Sequence, residues 1–536
     1  MRLGDTALEV VPEVDEAGGP DRIVPGFGNT LRDGLGVRAE RGGVELAILN
    51  GLVLDPVLGA RRTSIGIRDG RVCAIGRPGN PDTMDGVEVV LDTQTAIVDA
   101  TGAIVTPGAV DSHVHLLSPQ VVDAALAGGV TTLISQDFGP VWNLGTNPPE
   151  GTAATWAALE ACPVNAALLV RASSARGDLV ERSLRAGGAG LKIHEDTAAG
   201  PEQIRCALDV ADAHDVQLAI HTDGLNEALG VEGTYAAFGG RTVHAFHIEG
   251  GGGGHAPNLL DLAGRERVLT SSTTPGVPFA IGAEADHNAM VAAVHMLAPG
   301  VVAGDHTALH SRVHPATMAA ESLLHDLGVI AMLSSDSQGM GRIGELYQRA
   351  FQLADAMQRS GAGDAGLSAT ERALRYVAKL TINPARAHGL AQHVGSLELG
   401  KLADAVIWAP HLFGVRPDLV LKSGISVWGA SGSGSATTVL SEPLVIGPQV
   451  GALGAAPARL SLAFLAACAL DAELPTTRPR AAVSGCRALT AADMVRNSRT
   501  GRVRVDPARL RVTLDGEQLA MEPLAEVALS RRYLLG

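Results

Sequence analysis

The chain of 536 residues is 46% hydrophobic but only 3% aromatic, and its formal net charge is −15. These values exclude a disordered chain and are typical of a folded protein of two or three domains. The acidic balance argues against a nucleic-acid-binding protein.

Other broad classes are excluded by simple features. No apolar run reaches the roughly 18 residues that a membrane span requires, so we expect no membrane partner. Five scattered cysteines without a Cys-x-x-Cys pair predict neither a disulfide framework nor a zinc knuckle. The N-terminus lacks the basic start and apolar run of a signal peptide, which predicts a soluble cytoplasmic protein.

The first part of the chain predicts a small β domain. Residues 1–40 are polar and predict irregular structure with few strands. Short β patterns separated by turn residues follow, at Val44–Leu54, Thr63–Arg68, Arg71–Gly76 and Val87–Leu91.

From Ile104 onward, apolar strand patterns alternate with helical segments such as Pro201–His214. Eight such units predict an α/β fold with a (β/α)₈ TIM-type barrel. The long gap from Pro275 to Val329 predicts a lid at the barrel mouth. The eight strand patterns are Ile104–His115, Gly129–Ser135, Asn165–Arg171, Gly190–His194, Gln217–Thr222, Thr242–Ile248, Val268–Thr274 and Ile330–Asp336.

After the barrel, Gly400–Pro410 and Leu419–Trp428 return to a β pattern. Two strands are not stable alone, so we expect them to complete a composite β domain with the N-terminal segment. Residues 429–450 predict a loop, and Ala458–Leu470 predicts a helix. The predicted division is 1–106 for the N-terminal part of the β domain, 107–398 for the barrel, 399–450 for the post-barrel strands, and 451–536 for a C-terminal α/β segment packed on the barrel.

One stretch stands apart from the alternating pattern. Thr242–Asn258 begins as an apolar strand with His244 and His247, runs into five consecutive glycines and reaches a third histidine, His255. A strand end holds imidazoles rigidly, and glycine lets a backbone approach a small ligand closely. A metal or ligand site is one interpretation, and a flexible loop beside structural histidines is the other.

Candidate functional side chains collect at the carboxyl ends of the predicted barrel strands, where barrel active sites lie. Side chains alternate between the faces of a strand, so His113 and His115 point to one side, as do Lys192 and His194. The expected site contains five histidines, one lysine and one aspartate: His113, His115, Lys192, His194, His221, His247 and Asp336.

Each of these residues also has a structural interpretation, because a lone histidine at a strand end is usually a hydrogen-bonded structural residue. The lysine is unusual among imidazoles, since an ammonium group has no lone pair to donate. It becomes a ligand if burial lowers its pKa and carbon dioxide converts the amine to a carbamate. A carbamate has two oxygens that can bridge two metal ions, and such a pair polarises a carbonyl and generates hydroxide.

Longer motifs surround these residues and extend the pattern along nearly the whole chain. Together they resemble the large (alpha) subunit of bacterial urease, a nickel amidohydrolase, better than they resemble related cyclic amidohydrolases. The motifs are Asp111-Ser-His-Val-His115, Gly190-Leu-Lys-Ile-His-Glu-Asp196, Ala219-Ile-His-Thr-Asp223 with Leu225-Asn-Glu227, Gly240–Pro257, Ser334-Ser-Asp-Ser-Gln338 with Met340-Gly-Arg342, Thr381-Ile-Asn-Pro384, Val394-Gly-Ser396, Gly400-Lys-Leu-Ala-Asp404 and Phe413-Gly-Val-Arg-Pro417.

The resemblance implies a centre of two nickel ions, bridged by Lys192 after its reaction with carbon dioxide to form a carbamate. The other metal ligands would fall into two sets: His221 and His247 on one ion, and His113, His115 and Asp336 on the other.

The resemblance also implies roles around the substrate. His194 would donate a hydrogen bond to the carbonyl oxygen of urea, and Gly339 would line the substrate pocket. His295, in the lid, would be the general acid, and Arg312 resembles the arginine that supports it in the family.

The chain departs from the family pattern at four places around the pocket. Val294 replaces the cysteine that usually precedes the lid histidine, and Thr197 replaces a tryptophan. Gly339 replaces an alanine, and residues 135–142 replace a glycine-rich stretch with bulkier residues. The metal ligands are kept, but the walls around the substrate have changed.

The expected reaction is hydrolysis of urea to ammonia and carbamate. One alternative is an amidohydrolase of the same design that acts on another small urea or amide, which the altered pocket walls favour. Another is a non-catalytic paralogue, against which the complete ligand set argues. The resemblance further implies urease beta and gamma subunits, nickel-loading accessory proteins and a trimer of heterotrimers.

Overall fold

The computed structural model describes residues 1–18, 22–26, 30–136, 143–195, 199–222, 231–251, 258–294, 296–432, 444–506 and 508–530. Residues 306–308, 310 and 311 are described by their backbone alone. The predicted general acid His295, the loop histidine His255, Thr197 and most of the bulky segment 135–142 lie outside the described residues.

Eight parallel strands form the predicted barrel, each hydrogen-bonded to the next in chain order. The backbone N–H of His115 donates to the carbonyl of Ser337 at 2.9 Å, so the end of the first strand meets the segment after the last and nearly closes the barrel. All of the strands are buried, which suits apolar runs covered on both faces. Numbered 1 to 8 in chain order, the strands are Ala109–His115, Val130–Gln136, Asn165–Arg171, Gly190–His194, Leu218–His221, Val243–Phe246, Val268–Thr273 and Met332–Ser334.

Helices alternate with these strands and continue beyond strand 8. None of the helices in the described ranges is long and apolar enough to cross a membrane. The helices are Gln120–Ala127, Pro149–Leu159, Gly177–Arg185, Pro201–His214, Val231–Phe238, Ala283–Val294, Ala303–Arg312, Pro315–Asp326, Leu346–Ser360, Ala369–Leu380, Ile382–Ala387 and Ala456–Leu460.

The composite β domain is also confirmed. Ile104–Pro107, from before the barrel, pairs in antiparallel fashion with Ala405–Trp408, from after it. Both belong to one ten-stranded sheet. Its other strands are Val14–Asp15, Leu46–Asp55, Gly59–Arg68, Arg71–Gly76, Ala96–Asp99, Leu419–Lys422, Ile425–Ser431 and Val445–Pro448.

The single strand predicted at Ile104–His115 is wrong, because the structure divides it between the two domains. Gly108 is the break: its N–H donates to the carbonyl of Asp404 at 2.9 Å. A Cβ atom on Gly108 would lie 2.1 Å from Oγ1 of Thr131, so only glycine fits this close approach. The chain therefore leaves the β domain and enters the barrel within one residue.

Two predictions for the C-terminal part are wrong. Residues 429–450 are not all loop, since the strand Ile425–Ser431 pairs with Val445–Pro448. The helix predicted at Ala458–Leu470 is also absent: a short helix, Ala456–Leu460, precedes the strand Ala463–Leu465, which pairs with barrel strand 3. Pairing with an available strand overrides the helical preference of this alanine- and leucine-rich run.

The remaining strands are short. Arg480–Ala482 extends the barrel sheet beside Ala463–Leu465. Val503–Asp506, Arg511–Leu514 and Glu517–Gln518 form a three-stranded sheet, and Pro78–Gly79 pairs with Val89–Val90.

A buried carboxylate joins the two domains. Asp404 accepts a hydrogen bond from Asn165 of barrel strand 3 at 2.8 Å and one from Lys422 of the β domain. The backbone N–H of Ser423 donates to its other oxygen at 2.9 Å. Because Lys422 is fully buried, Asp404 compensates a charge that water does not reach.

Replacement of Asp404 by alanine should therefore lower the free energy of unfolding by about 3–5 kcal/mol, since it leaves the charge of Lys422 buried and unpaired. Chemical denaturation of purified protein measures the loss. The matched control is Asp178→Ala, which removes an exposed partner of Arg176 and should have little effect. The double variant Asp404→Leu, Lys422→Met should recover part of the stability, because it removes the unpaired charge but still leaves Asn165 and the N–H of Ser423 without this acceptor. A loss in Asp404→Ala no larger than in Asp178→Ala would contradict this account.

Candidate metal centre and active site

Two histidines of strand 1 and an aspartate after strand 8 converge at the barrel mouth. Nε2 of His113 lies 3.3 Å from Oδ1 of Asp336, and Nε2 of His115 lies 3.1 Å from the same oxygen. The three residues are between 1% and 3% exposed. The alternation of side chains along strand 1 explains why both imidazoles face the barrel interior.

The chemistry of these atoms fits a metal ion. Among the described residues, no hydrogen-bond partner is found for either ring nitrogen of His113 or for Oδ1 of Asp336. Buried polar atoms are normally satisfied, and a cation would satisfy this group of lone pairs. Burial lowers the pKa of His113 well below its usual value, and the nearby His247 and Lys192 lower it further. The imidazole is therefore neutral, which is the form that binds metals.

The other candidate ligands lie in the same cluster. The ring of His113 is 4.8 Å from that of His247, which is 4.7 Å from that of His221. His194 stacks on His221 at 5.1 Å. Burial, with His221 and Lys192 nearby, lowers the pKa of His247 well below its usual value. The structure thus brings the five predicted histidines into one continuous group.

Phe246 connects Lys192 to this group, and the sequence did not reveal its part. Nζ of Lys192 lies over the Phe246 ring, 3.9 Å from its centroid, and the same ring stacks on His113 at 4.1 Å. Its position directly before His247 is the one sequence feature that could have indicated it.

Asp111 is a second residue whose role the sequence left open. Its Oδ1 accepts hydrogen bonds from the backbone N–H groups of His113 and Ser335, each at 3.1 Å. It therefore ties strand 1 to the end of strand 8. Burial raises the pKa of Asp111 to about 6, partly opposed by these hydrogen bonds. Its position two residues before His113 was the sequence feature that could have indicated this role.

The backbone is strained at this end of the barrel. His247, Asp336 and Gln338 have φ angles of 55°, 53° and 63°, in the left-handed region that side chains other than glycine rarely adopt. Such strain persists only where surrounding contacts impose it. Here the N–H groups of Gly339 and Gly341 both donate to the carbonyl of Asp336, at 3.1 and 2.9 Å.

Gly339 lies against the metal-ligand candidates. A Cβ atom at this position would lie 2.4 Å from Oδ1 of Asp336 and 3.0 Å from Cδ2 of His115. The methyl group of an alanine does not fit this arrangement, so the glycine is needed for the observed positions of the aspartate and the imidazole.

The predicted lid contains three helices, Ala283–Val294, Ala303–Arg312 and Pro315–Asp326, which surround a small apolar cluster. Arg312, the last residue of the second helix, is buried. Val294 ends the first helix, directly before His295. The support of His295 by Arg312 stays a prediction, because His295 lies outside the described residues.

The lid is anchored to the glycine-rich segment after strand 6. The N–H of Gly250 donates to Oε2 of Glu321 at 2.8 Å, and its carbonyl accepts from Oγ1 of Thr317 at 2.9 Å. The ring of His287 lies against Gly251, where a Cβ atom would be 2.6 Å from Cδ2. The lid and the segment that carries His247 therefore share contacts.

Two carboxyl groups, those of Glu249 and Glu321, lie together beside the contact between Gly250 and the lid. Oε2 of Glu249 accepts from the N–H and the hydroxyl of Thr273, at 3.0 and 2.7 Å. Burial raises the pKa of Glu321 well above its usual value, and the neighbouring Glu249 raises it further. A protonated Glu321 can lie beside Glu249 without repulsion between like charges.

A methyl group at Gly250 would collide with the lid backbone, because its Cβ would lie 2.1 Å from the carbonyl carbon and oxygen of Thr317. Gly250→Ala should therefore lower the free energy of unfolding by about 1–3 kcal/mol, as overpacking does, and should make the lid more susceptible to limited proteolysis. Gly304→Ala, within the lid, is the matched control, since none of the described atoms lies within 4 Å of its Cβ position. Equal melting temperatures and equal proteolysis for the two variants would refute the contact.

The fold and the site define the class of protein. An eight-stranded barrel with histidines and an aspartate at its carboxyl end is the architecture of metal-dependent amidohydrolases, and residues 104–434 match the amidohydrolase family. Residues 1–98 match the N-terminal domain of the urease alpha-subunit.

Similar proteins extend this match over the whole chain. Urease subunit alpha 2 of Streptomyces coelicolor is 51% identical over 541 residues, covering 100% of this chain and 97% of that protein. Urease subunit alpha of Laribacter hongkongensis is 42% identical over 553 residues, covering 99% and 96%. A solved D-hydantoinase structure is 15% identical, with a TM-score of 0.47, and covers 72% of this chain and 95% of that one. The chain belongs to the urease alpha-subunit family.

Proposed function

We propose that this chain hydrolyses urea to ammonia and carbamate at a centre of two nickel ions. The observation that carries the proposal is the buried cluster in which His113, His115 and Asp336 place their ligand atoms within 4.8 Å of one another, beside Lys192 and two more histidines. The names of the urease relatives support urea as the substrate.

The metal ligands divide as the family pattern implies. Lys192, as a carbamate, would hold both ions, with His221 and His247 on one ion and His113, His115 and Asp336 on the other. Nickel bound there supplies Lewis acidity, which polarises a carbonyl group and lowers the pKa of water. The neutral state of His113 and His247 supports this assignment.

The remaining site residues handle the substrate. His194 donates a hydrogen bond to the carbonyl oxygen of urea, and its stacking on His221 supports a fixed orientation of its ring. Gly339 lines the pocket beside Asp336. His295 delivers a proton to the leaving nitrogen, with Arg312 as its support in the lid.

The proposal extends to organisation and partners. The four predicted segments, 1–106, 107–398, 399–450 and 451–536, are the proposed domains. Beta and gamma subunits, nickel-loading accessory proteins, assembly as a trimer of heterotrimers and a cytoplasmic location are implied by the family resemblance.

Ammonia release from urea tests the proposed function directly. The chain should be co-expressed with its neighbouring genes in nickel-containing medium and assayed on a panel of ureas and small amides. Urea should be the preferred substrate, and His113→Ala should abolish turnover. Ammonia from another amide but not from urea would favour the alternative substrate, which the altered pocket walls motivate. No turnover of any substrate by nickel-loaded protein would favour the non-catalytic paralogue.

Lys192→Ala should lose the metal pair and not merely activity, because the carbamate is the proposed bridge. Elemental analysis of the purified variant should show nickel loss, and a small carboxylic acid should restore activity by replacing the bridging oxygens. Lys401→Ala, in the β domain, is the control and should keep its nickel. Full nickel occupancy in Lys192→Ala without added acid would contradict the proposed bridge.

His295→Ala should reduce turnover by about 10²–10⁴-fold, the usual contribution of a positioned acid, while both metals stay bound. Steady-state kinetics and metal analysis of the same preparation measure the two quantities. His411→Ala, an exposed histidine of the β domain, should change neither. Unchanged turnover in His295→Ala would remove this residue from the mechanism.

A further inference from the structure

Gln136 is a polar side chain at the site that none of the assigned roles uses. It is the last residue of strand 2 and the direct cross-strand neighbour of His115, the last residue of strand 1. Neighbours in register point to the same side of a parallel sheet. Only 4% of Gln136 is exposed, so its carboxamide lies inside the barrel mouth.

One end of this carboxamide faces a metal-ligand candidate. Nε2 of Gln136 lies 3.3 Å from Nε2 of His115, and that ring nitrogen is also 3.1 Å from Oδ1 of Asp336. A neutral imidazole nitrogen that binds a cation has no lone pair left for a second donor. If His115 is a ligand, the N–H groups of Gln136 lose this acceptor and are available to another molecule in the pocket.

The other end of the carboxamide, Oε1, has no partner among the described residues. Within the described part of the chain, no group donates a hydrogen bond to Oε1 of Gln136. A buried acceptor without a donor is unfavourable and rare in folded proteins. The missing donor is therefore expected from a molecule that enters the site.

A second neighbour of His115 also departs from the family pattern. Gly339 leaves no room for a Cβ atom beside Asp336 and His115, and it replaces an alanine of that pattern. Gln136 lies in the segment that replaces family glycines with bulkier residues. Side-chain volume is thus lost after strand 8 and gained at strand 2, at two positions that both lie next to His115.

We infer that Gln136 is a substrate-binding residue whose Oε1 accepts a hydrogen bond from an N–H group of the substrate. This inference rests on the proposed function, since it assumes a metal-bound His115 and an amide-type substrate. A carboxamide accepts at its oxygen and donates at its nitrogen, so it complements the N–H and C=O groups of an unsubstituted urea or primary amide. Substrates alkylated on that nitrogen are disfavoured because they lack the donor.

The decisive variant is Gln136→Leu, which keeps an apolar side chain one bond shorter at this position and removes both polar ends. In the nickel-loaded enzyme, KM for urea should rise about 3- to 10-fold, as expected for the loss of one hydrogen bond. The turnover number should change less, nickel content should stay the same, and the preference for urea over N,N-dimethylurea should fall. The melting temperature should not fall, because the removed oxygen accepts no hydrogen bond from the residues that the structure describes.

Gln217→Leu is the matched control. Gln217 is equally buried but lies before strand 5, at the other end of the barrel, where its Nε2 donates to the carbonyl of Ala387 at 2.7 Å and its Oε1 accepts from the N–H of Leu218 at 3.0 Å. Its replacement should lower the melting temperature and leave KM unchanged. This is the opposite of the pattern expected for Gln136.

Binding without turnover separates this inference from the proposed function. Acetamide, a primary amide, should raise the melting temperature of the nickel-loaded wild-type chain, because a ligand stabilises the state that binds it. The rise should be smaller in Gln136→Leu, whether or not urea is hydrolysed. Failure of urea hydrolysis with this difference intact would overturn only the proposed function. An unchanged KM, equal acetamide effects, no acetamide effect in either protein, or loss of nickel from Gln136→Leu would overturn the role of Gln136.

Discussion

The site depends on the contact that brings the first and last barrel strands together. His115 donates its backbone N–H to the carbonyl of Ser337, and Val114 forms a parallel bridge with the same residue. These contacts place the end of strand 1 beside Asp336, which follows strand 8. In an open sheet, the imidazoles and the carboxylate would lie at opposite edges. Barrel closure therefore assembles a cluster from residues more than 200 positions apart in the sequence.

Burial then determines the chemistry of the cluster. Removal from water favours the neutral forms of His113 and His247, so the site gathers lone pairs around a single carboxylate oxygen. The apolar ring of Phe246 separates His113 from the amine of Lys192 and contacts both. A cation balances such a collection of acceptors, whereas a protein core without one would leave them unsatisfied. A Cβ atom at Gly339 would lie 2.4 Å from Oδ1 of Asp336, which explains why glycine occupies this position.

Features with a local cause were predictable from the sequence. Strand 3 and strand 4 end where the apolar runs end, at Arg171 and His194, and alternation placed His113 and His115 on one face. Features that depend on a spatial neighbour were not predictable. The role inferred for Gln136 depends on His115, its neighbour across the strand pair. The strand at Ala463–Leu465 depends on the first half of strand 3, because strand 4 pairs with strand 3 only from Leu169 onward. The break at Gly108 likewise follows from its contact with Asp404.

The central claim is that two metal ions share a carbamate on Lys192. X-ray diffraction at the nickel absorption edge, from crystals of the nickel-loaded protein, tests it most directly. The account predicts two anomalous peaks, one beside His113, His115 and Asp336 and the other beside His221 and His247, with density for a carbamate on Lys192 between them. A single peak, or an unmodified lysine amine between two ions, would contradict it.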